Sequence, residues 1–207
     1  ITLSIVQSMM MIIPVAAFTV NQYQTLQGRL SALRWSPTLR FIGVGGLMYT
    51  ASSVQGSLEA LRSMNAVTHF THYTVAHAHL GLYGFVSFVF FGAMYFVMPR
   101  ITAREWPYPA LITAHFWLVS SGFALYFVSL TTAGWLQGLA MLDAARPFMD
   151  SVAVTLPYLK GRSLGGAFMV LGHLVFAAHF MALTLGFGPQ RDKPALFRQL
   201  FRKAATA

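Results

Sequence analysis

Five long apolar stretches, separated by shorter polar segments, constrain this chain more than any other feature of its sequence. A helix needs about 20 apolar residues to cross a bilayer, since lipid offers backbone groups no hydrogen-bond partners. The sequence therefore predicts an all-α, polytopic transmembrane helix bundle with five spans. The expected spans are residues 3–20, 39–57, 74–98, 111–139 and 164–187.

The composition agrees with a membrane location and excludes several kinds of site. Hydrophobic residues make up 56% of the 207 residues and charged residues only 9%, against about 25% charged residues in an ordinary soluble domain. Cysteine is absent, which excludes disulfides, thiolate metal sites and iron–sulfur clusters. A bound metal must therefore be held by histidine, methionine or oxygen ligands.

The basic residues sort by loop and predict an orientation. Ten of the 14 Lys and Arg residues follow spans one, three and five, and four follow spans two and four. The positive-inside rule then places the start of the chain outside and the tail, residues 189–207, in the cytoplasm. Because these charges lie in loops between apolar runs, we exclude nucleic acid as a partner despite the net charge of +9.

Two histidines near the outer end of the third span are the main candidates for a functional site. His77 and His79 lie two residues apart, about 200° around a helix, so their side chains leave nearly opposite faces. They cannot chelate one metal ion together, but one helix between two hemes could ligate the iron of each. The neighbours Ala76, Ala78 and Gly81 are small enough for porphyrins to approach. The alternative is that both imidazoles hydrogen-bond neighbouring helices.

Two further residues are candidates for binding heme propionates at the outer face. His69 precedes the third span, and Arg162 lies at the predicted outer start of the fifth. A guanidinium pairs with a carboxylate through two parallel hydrogen bonds, which favours Arg162 for this role. The alternative for Arg162 is a charge that only sets orientation. We expect His173 and His179 to be packing or hydrogen-bonding residues on different faces of span five.

Several segments together resemble a known family, the heme-copper oxidases. The run from His69 to Gly81, with Tyr83-Gly84-Phe85 and Pro99-Arg100 after it, resembles the tenth helix of their catalytic subunits. Other segments resemble the cbb-type, or C-family, cytochrome c oxidases over nearly the whole chain. These segments are Gln27-Gly28-Arg29, Ser36-Pro37-Thr38-Leu39-Arg40, Gln55-Gly56, Arg62-Ser63-Met64-Asn65, His115-Phe116-Trp117 and Ala133-Gly134-Trp135-Leu136-Gln137-Gly138.

The resemblance implies a role for each histidine of the pair. It makes residues 1–188 a heme-binding bundle, helices eight to twelve of a twelve-helix subunit I fold. His77 would ligate the high-spin heme where oxygen binds, and His79 the low-spin heme b. The copper ligands of the family lie on upstream helices, outside these 207 residues, so the fragment alone is expected to be inactive.

The implied function is that of a terminal oxidase in the bacterial inner membrane. Electrons would pass from cytochrome c through c-type cytochrome subunits and low-spin heme b to a high-spin heme and copper, reducing O₂ to water with proton translocation. His-x-His would lie near the periplasmic side.

Some features keep other functions open. Gln55 stands where many family members have an acidic residue, which puts in doubt any role that needs a carboxylate there. Nitric oxide reductase shares the His-x-His helix but uses a non-heme iron in place of copper. A third possibility is a transporter or structural membrane protein without cofactors, in which the histidines pack helices or relay protons.

Overall fold

The computed structural model describes residues 2–190, and this part of the chain is all-α, as predicted. The basic tail lies outside the described residues from residue 191 onward. The elements are α1 (Thr2–Met10), α2 (Ile12–Leu26), α3 (Ala32–Trp35), α4 (Pro37–Glu59), α5 (Arg62–Thr68), α6 (His72–His79), a π-helix (Leu80–Ser87), α7 (Phe88–Thr102), α8 (Pro109–Leu142), α9 (Phe148–Ala153) and α10 (Leu156–Leu185).

Four helical segments within residues 2–190 are long and apolar enough to cross a membrane. They are Thr2–Leu26, His72–Thr102, Pro109–Leu142 and Phe148–Leu185. The remaining predicted span forms α4, whose 23 residues extend about 35 Å. Its hydropathy is lower because its second half carries several serines and a glutamine, so its crossing remains a prediction.

Proline residues shape two of the predicted spans. The first span is divided between α1 and α2 at Met11, three residues before Pro14. Proline has no N–H to donate, and its ring crowds the carbonyl four residues earlier. In α7, Pro99 leaves the carbonyl of Tyr95 without its helical donor, and the indole Nε1–H of Trp106 donates to that carbonyl instead, at 2.9 Å.

Helices α8 and α10 form the most extensive helix pair because glycines let them approach closely. Gly122 and Gly165 face each other, and a Cβ on either would lie within 2.7 Å of the other's carbonyl oxygen. Helix α10 begins at Leu156, eight residues before the predicted span. Arg162 therefore lies within a helix and not at its start; Pro157 in the first turn is compatible with this early helix start.

An aromatic core joins α4, α7, α8 and α10 at the end of the bundle opposite the His-x-His segment. Phe41, Tyr95, Trp106 and Phe116 are all at most 4% exposed there. Many large apolar side chains point outward instead, including most of α1 and α2, where only Val15 is buried. An apolar outer surface is what helices need against lipid or against further helices.

Candidate functional site

The His-x-His segment lies at the end of α6, where the helix changes its hydrogen-bonding pattern. Thr71 caps α6, since its Oγ1 accepts from the N–H of Tyr73 at 3.2 Å. After His79 the helix continues as the π-helix Leu80–Ser87. π-Helical segments are rare and are frequently found at functional sites, so the π-helix is a second unusual feature of this segment besides its histidines.

His77 lies against α4. A Cβ built on Gly56 would be 2.8 Å from Cε1 and 3.1 Å from Nε2 of His77, so the absence of a side chain at Gly56 admits the imidazole. Beside it is a cavity of about 350 Å³. Its lining is Ser8, Met11, Ser52, Ser53, Gly56, Ser57 and His77. The buried Nδ1 of His77 has no hydrogen-bond partner among the described residues.

His79 points toward α8 and has both ring nitrogens engaged. Its Nδ1–H donates to the carbonyl of Val75 at 2.8 Å, which fixes the ring and leaves a lone pair on Nε2. The hydroxyl of Tyr126 lies 3.2 Å from that nitrogen and donates to it. An Nδ1–H held by a backbone carbonyl is the usual arrangement of an imidazole that ligates a metal through Nε2.

The two imidazoles therefore contact different neighbours on different sides of α6, namely Gly56 of α4 and Tyr126 of α8. This confirms the opposite-face geometry predicted from the spacing. The arrangement fits two separate axial ligands: His79 has an oriented Nε2, and His77 has an unsatisfied buried nitrogen beside a cavity. It does not fit a shared metal ion.

A second, largely apolar cavity of about 370 Å³ lies between α4, the His-x-His helix and α8. Its lining is Met48, Ala51, Gln55, Tyr73, Leu80, Phe123, Ala124, Phe127, Val128 and Thr131. Among these residues is Gln55, at the position where the resemblance implies an acidic residue in many family members. Its Oε1 is buried and finds no hydrogen-bond donor within residues 2–190. The side chain at this position is therefore neutral and has an unsatisfied hydrogen-bond acceptor.

The proposed propionate ligands lie at the same end of the bundle but do not meet. His69 lies in the turn after α5, exposed, with its ring 3.9 Å from that of Phe70. Arg162 lies close enough to His72 for their charges to interact. The backbone N–H of His72 also donates to Gln137 Oε1 at 3.1 Å, which ties α6 to α8 at this end.

The remaining histidines are structural neighbours of one another. His115, His173 and His179 all face the aromatic core, and His173 and His179 make the hydrogen bonds expected of them, to Tyr83 and Tyr108. Their rings contact different neighbours, Phe91 for His173 and Trp106 for His179, as their six-residue spacing on α10 predicts. Within the described range no group of three His, Asp or Glu side chains converges as a metal site.

Sequence reasoning missed two residues of the site, Gly56 and Tyr126. Gly56 is one of 17 glycines, and nothing in its local sequence says that an imidazole packs on it. Tyr126 lies 47 residues from His79 in the sequence. Only the packing of α4 and α8 against α6 brings these residues to the histidines.

Comparison with known proteins identifies relatives of this chain. Residues 1–168 match the family model described as cytochrome c and quinol oxidase polypeptide I. The Cbb3-type cytochrome c oxidase subunit CcoN1 of Stutzerimonas stutzeri is 34% identical over 183 residues, which are 85% of this chain and 39% of that protein. A nitric oxide reductase chain of the same organism is 26% identical over 147 residues, 67% of this chain and 31% of that protein.

A solved structure shares the fold. The chain is similar to a heme-copper terminal oxidase dimer determined by cryo-electron microscopy, with a TM-score of 0.59 and 18% identity over 77% of this chain and 28% of that one. The chain thus spans less than two fifths of the length of the curated relatives named above. The four long apolar helices and the match to this family both indicate a membrane protein.

Proposed function

Because the chain belongs to the cytochrome c and quinol oxidase polypeptide I family, we propose that it is part of the catalytic subunit of a terminal respiratory oxidase. The whole protein would pass electrons from cytochrome c through low-spin heme b to a high-spin heme and copper. It would reduce O₂ to water and couple this reaction to proton translocation. The residues upstream of this segment would supply the copper ligands.

In this proposal His77 and His79 hold two different hemes. His79 would ligate the low-spin heme through Nε2, the nitrogen that the Val75 carbonyl leaves free. His77 would ligate the high-spin heme on the α4 side, where Gly56 makes room for its ring. The bound hemes supply the redox chemistry; the chain supplies ligands, orientation and a water-poor setting that tunes their potentials.

We further propose that the end of the bundle carrying His69 and Arg162 faces the periplasm of a bacterial inner membrane. The basic residues of the opposite end would then lie in the cytoplasm. A fixed guanidinium at Arg162 and a hydrogen-bonding imidazole at His69 suit heme propionates. Partners would be c-type cytochrome subunits and cytochrome c, together with the surrounding lipid.

One observation carries the proposal: two imidazoles leave one helix on different sides, one toward α4 and one toward α8. Histidines that only hydrogen-bond neighbouring helices need not leave their helix on different sides. Two axial ligands for two hemes require it, since each porphyrin needs its own side of the helix.

The test is an optical spectrum of membranes that contain the full-length subunit and its His77→Ala and His79→Ala variants. Reduced-minus-oxidised spectra, with and without carbon monoxide, separate the two hemes. His77→Ala should lose the heme that binds carbon monoxide, and His79→Ala should lose the low-spin signal. Unchanged spectra in both variants would refute the ligand assignment, and a parent without a Soret band would favour a cofactor-free membrane protein.

Nitric oxide reduction is the second candidate function, favoured by the match to a nitric oxide reductase. The two functions differ in the metal beside the high-spin heme, which upstream residues would hold. Metal analysis of the full-length protein separates them, because copper supports the oxidase and non-heme iron supports the reductase.

A further inference from the structure

A buried cluster of polar aromatic residues lies among the π-helix, α7, α8 and α10, and it extends away from the His-x-His segment. Its members belong to these four elements and meet in pairs. His115 Nδ1 lies 2.9 Å from the Tyr95 hydroxyl, and His173 Nε2 lies 3.0 Å from the Tyr83 hydroxyl. The rings of His115 and His173 are 6.0 Å apart between centroids, so the two pairs are adjacent.

Two imidazole nitrogens in this cluster are buried and lack a partner within the described part of the chain. They are Nε2 of His115, a residue that is 0% exposed, and Nδ1 of His179, which is 1% exposed. The backbone N–H of Tyr108 donates to His179 Nε2, which leaves the proton of a neutral ring on the orphan Nδ1. Buried polar groups are nearly always hydrogen-bonded, to protein or to internal water.

Plain helix packing does not need such a cluster. Phe41, Phe91 and Phe176 pack around His115 and show that this site accepts apolar rings. A phenylalanine at His115 would avoid burying two polar nitrogens in a low-dielectric interior. A metal site does not explain it either, because the described His, Asp and Glu side chains form no ligand group of three or more.

We propose that Tyr83, His173, His115 and Tyr95 form, with internal water, a chain that carries protons through the half of the bundle opposite the His-x-His segment. His179 marks its entrance beside the Ala103–Pro107 loop, where it contacts Trp106 and Tyr108. Tyr83 marks its inner end, one helical turn from His79 on the same helix. The proposal rests on the proposed oxidase function, which gives such a chain protons to carry.

The transfer balances without any electron or co-reactant. When the Tyr95 hydroxyl donates to His115 Nδ1, the neutral imidazole carries its proton on Nε2, the orphan nitrogen. Water at that nitrogen would accept this proton and donate to the free Nδ1 of His173, whose Nε2–H then donates to Tyr83. A proton that water delivers from the His179 entrance to the Tyr95 oxygen would thus move each later proton by one place, and one proton would leave from the Tyr83 hydroxyl.

The test uses the full-length oxidase in its complex, reconstituted in lipid vesicles and carrying Tyr95→Phe or His115→Phe. Each change removes hydrogen-bonding atoms and keeps an aromatic ring. Tyr158→Phe, the same kind of substitution at a half-buried tyrosine outside the cluster, is the control. Optical spectra first establish whether both hemes are present. This result tests the proposed oxidase function separately from the proton chain. Protons translocated per electron are then counted with a pH-sensitive dye.

We expect parental heme spectra in all three variants and at least a twofold loss of protons per electron in Tyr95→Phe and His115→Phe alone. If either fails to assemble, Tyr83→Phe and His173→Phe test the other end of the chain. A cryo-electron microscopy map should show water bonded to His115 Nε2 and His179 Nδ1. Parental proton stoichiometry in the chain variants, or a dry cluster in the map, would overturn the proposal even if the hemes are present.

Discussion

The hydroxyl of Tyr126 lies 3.2 Å from Nε2 of His79 and joins α8 to the helix that carries both proposed heme ligands. Because Nδ1–H of His79 already donates to Val75, the tyrosine must donate to the lone pair of Nε2. An iron ion ligated by that nitrogen would use the same lone pair. The hydroxyl and the iron therefore compete for one position, and the hydroxyl is dispensable once heme is bound.

This competition predicts opposite results for two substitutions. Tyr126→Phe should leave the low-spin heme signal of the full-length subunit near the parental level, since ligation does not use the hydroxyl. His79→Ala should remove most of that signal. Reduced-minus-oxidised spectra of both variants decide the matter, and loss of the low-spin heme in Tyr126→Phe would mean that the tyrosine holds the site itself.

The contact between Gly56 and His77 predicts the effect of a single added methyl group. Gly56→Ala places a Cβ 2.8 Å from His77 Cε1 and must displace the ring. Loss of a group that only orients a metal ligand typically weakens metal binding by about 10- to 100-fold, and displacement of the ligand itself should weaken binding at least as much. Carbon monoxide difference spectra should therefore show loss of the high-spin heme, with the low-spin heme retained.

Gly166→Ala is the matched control for that substitution, because a Cβ at Gly166 meets nothing within 4 Å. The control should bind carbon monoxide like the parent. Equal spectra for Gly56→Ala and the parent would contradict the placement of the high-spin heme ligand at His77.

The opposite directions of His77 and His79 could be predicted from the sequence because helical periodicity is local. On any α-helix, the side chains of residues two positions apart differ in direction by about 200° around the axis, whatever surrounds them. The long apolar runs predicted the helices themselves for the same reason. The early start of α10 was missed because hydropathy counts find the apolar centre of a span. The helix itself begins at Leu156, eight residues before the predicted span, with Pro157 in its first turn.

Residues that complete the site could not be predicted, since their positions depend on tertiary packing. Gly56 and Tyr126 meet the histidines only after α4 and α8 pack against α6. The π-helix after His79 and the unpartnered Nε2 of His115 have no sequence signal either. The division of the first span at Met11 was predictable in principle from Pro14, whose effect on the preceding turn is fixed by its ring.

The Trp106 indole is predicted to stabilise α7 through the carbonyl that Pro99 leaves unpaired. Trp106→Phe keeps a ring in the core but leaves the Tyr95 carbonyl without its 2.9 Å donor. An unsatisfied buried group costs about 1–3 kcal/mol, so the full-length subunit should unfold at a lower temperature. Trp117→Phe, at a residue that is 60% exposed, should change the unfolding temperature little, and equal losses in both variants would contradict this role.

Glu59, two residues beyond the predicted second span, should make stability depend on pH. Burial raises the pKa of its carboxyl from 4.5 to about 7, and Oε1 has no hydrogen-bond partner among residues 2–190. The folded state therefore binds the proton more tightly than the unfolded state, so stability is highest below pH 4.5 and falls as pH rises toward 7. The shift in pKa corresponds to a loss of at most about 3 kcal/mol, which solvent screening of the carboxyl lowers.

The substitution Glu59→Gln removes the titrating group and keeps its shape, so the decline in unfolding temperature between pH 5 and pH 8 should become shallower. The unfolding temperature of Glu59→Gln should exceed that of the parent by a large margin at pH 8 and by a small margin at pH 5. The reason is that burial penalises only the ionised carboxylate. Asp150→Asn, at an exposed carboxylate, should keep the parental slope. If Glu59→Gln and the parent decline equally, then Glu59 is solvated or paired in the assembled protein, and burial of an unpaired carboxylate does not limit stability at this end of α4.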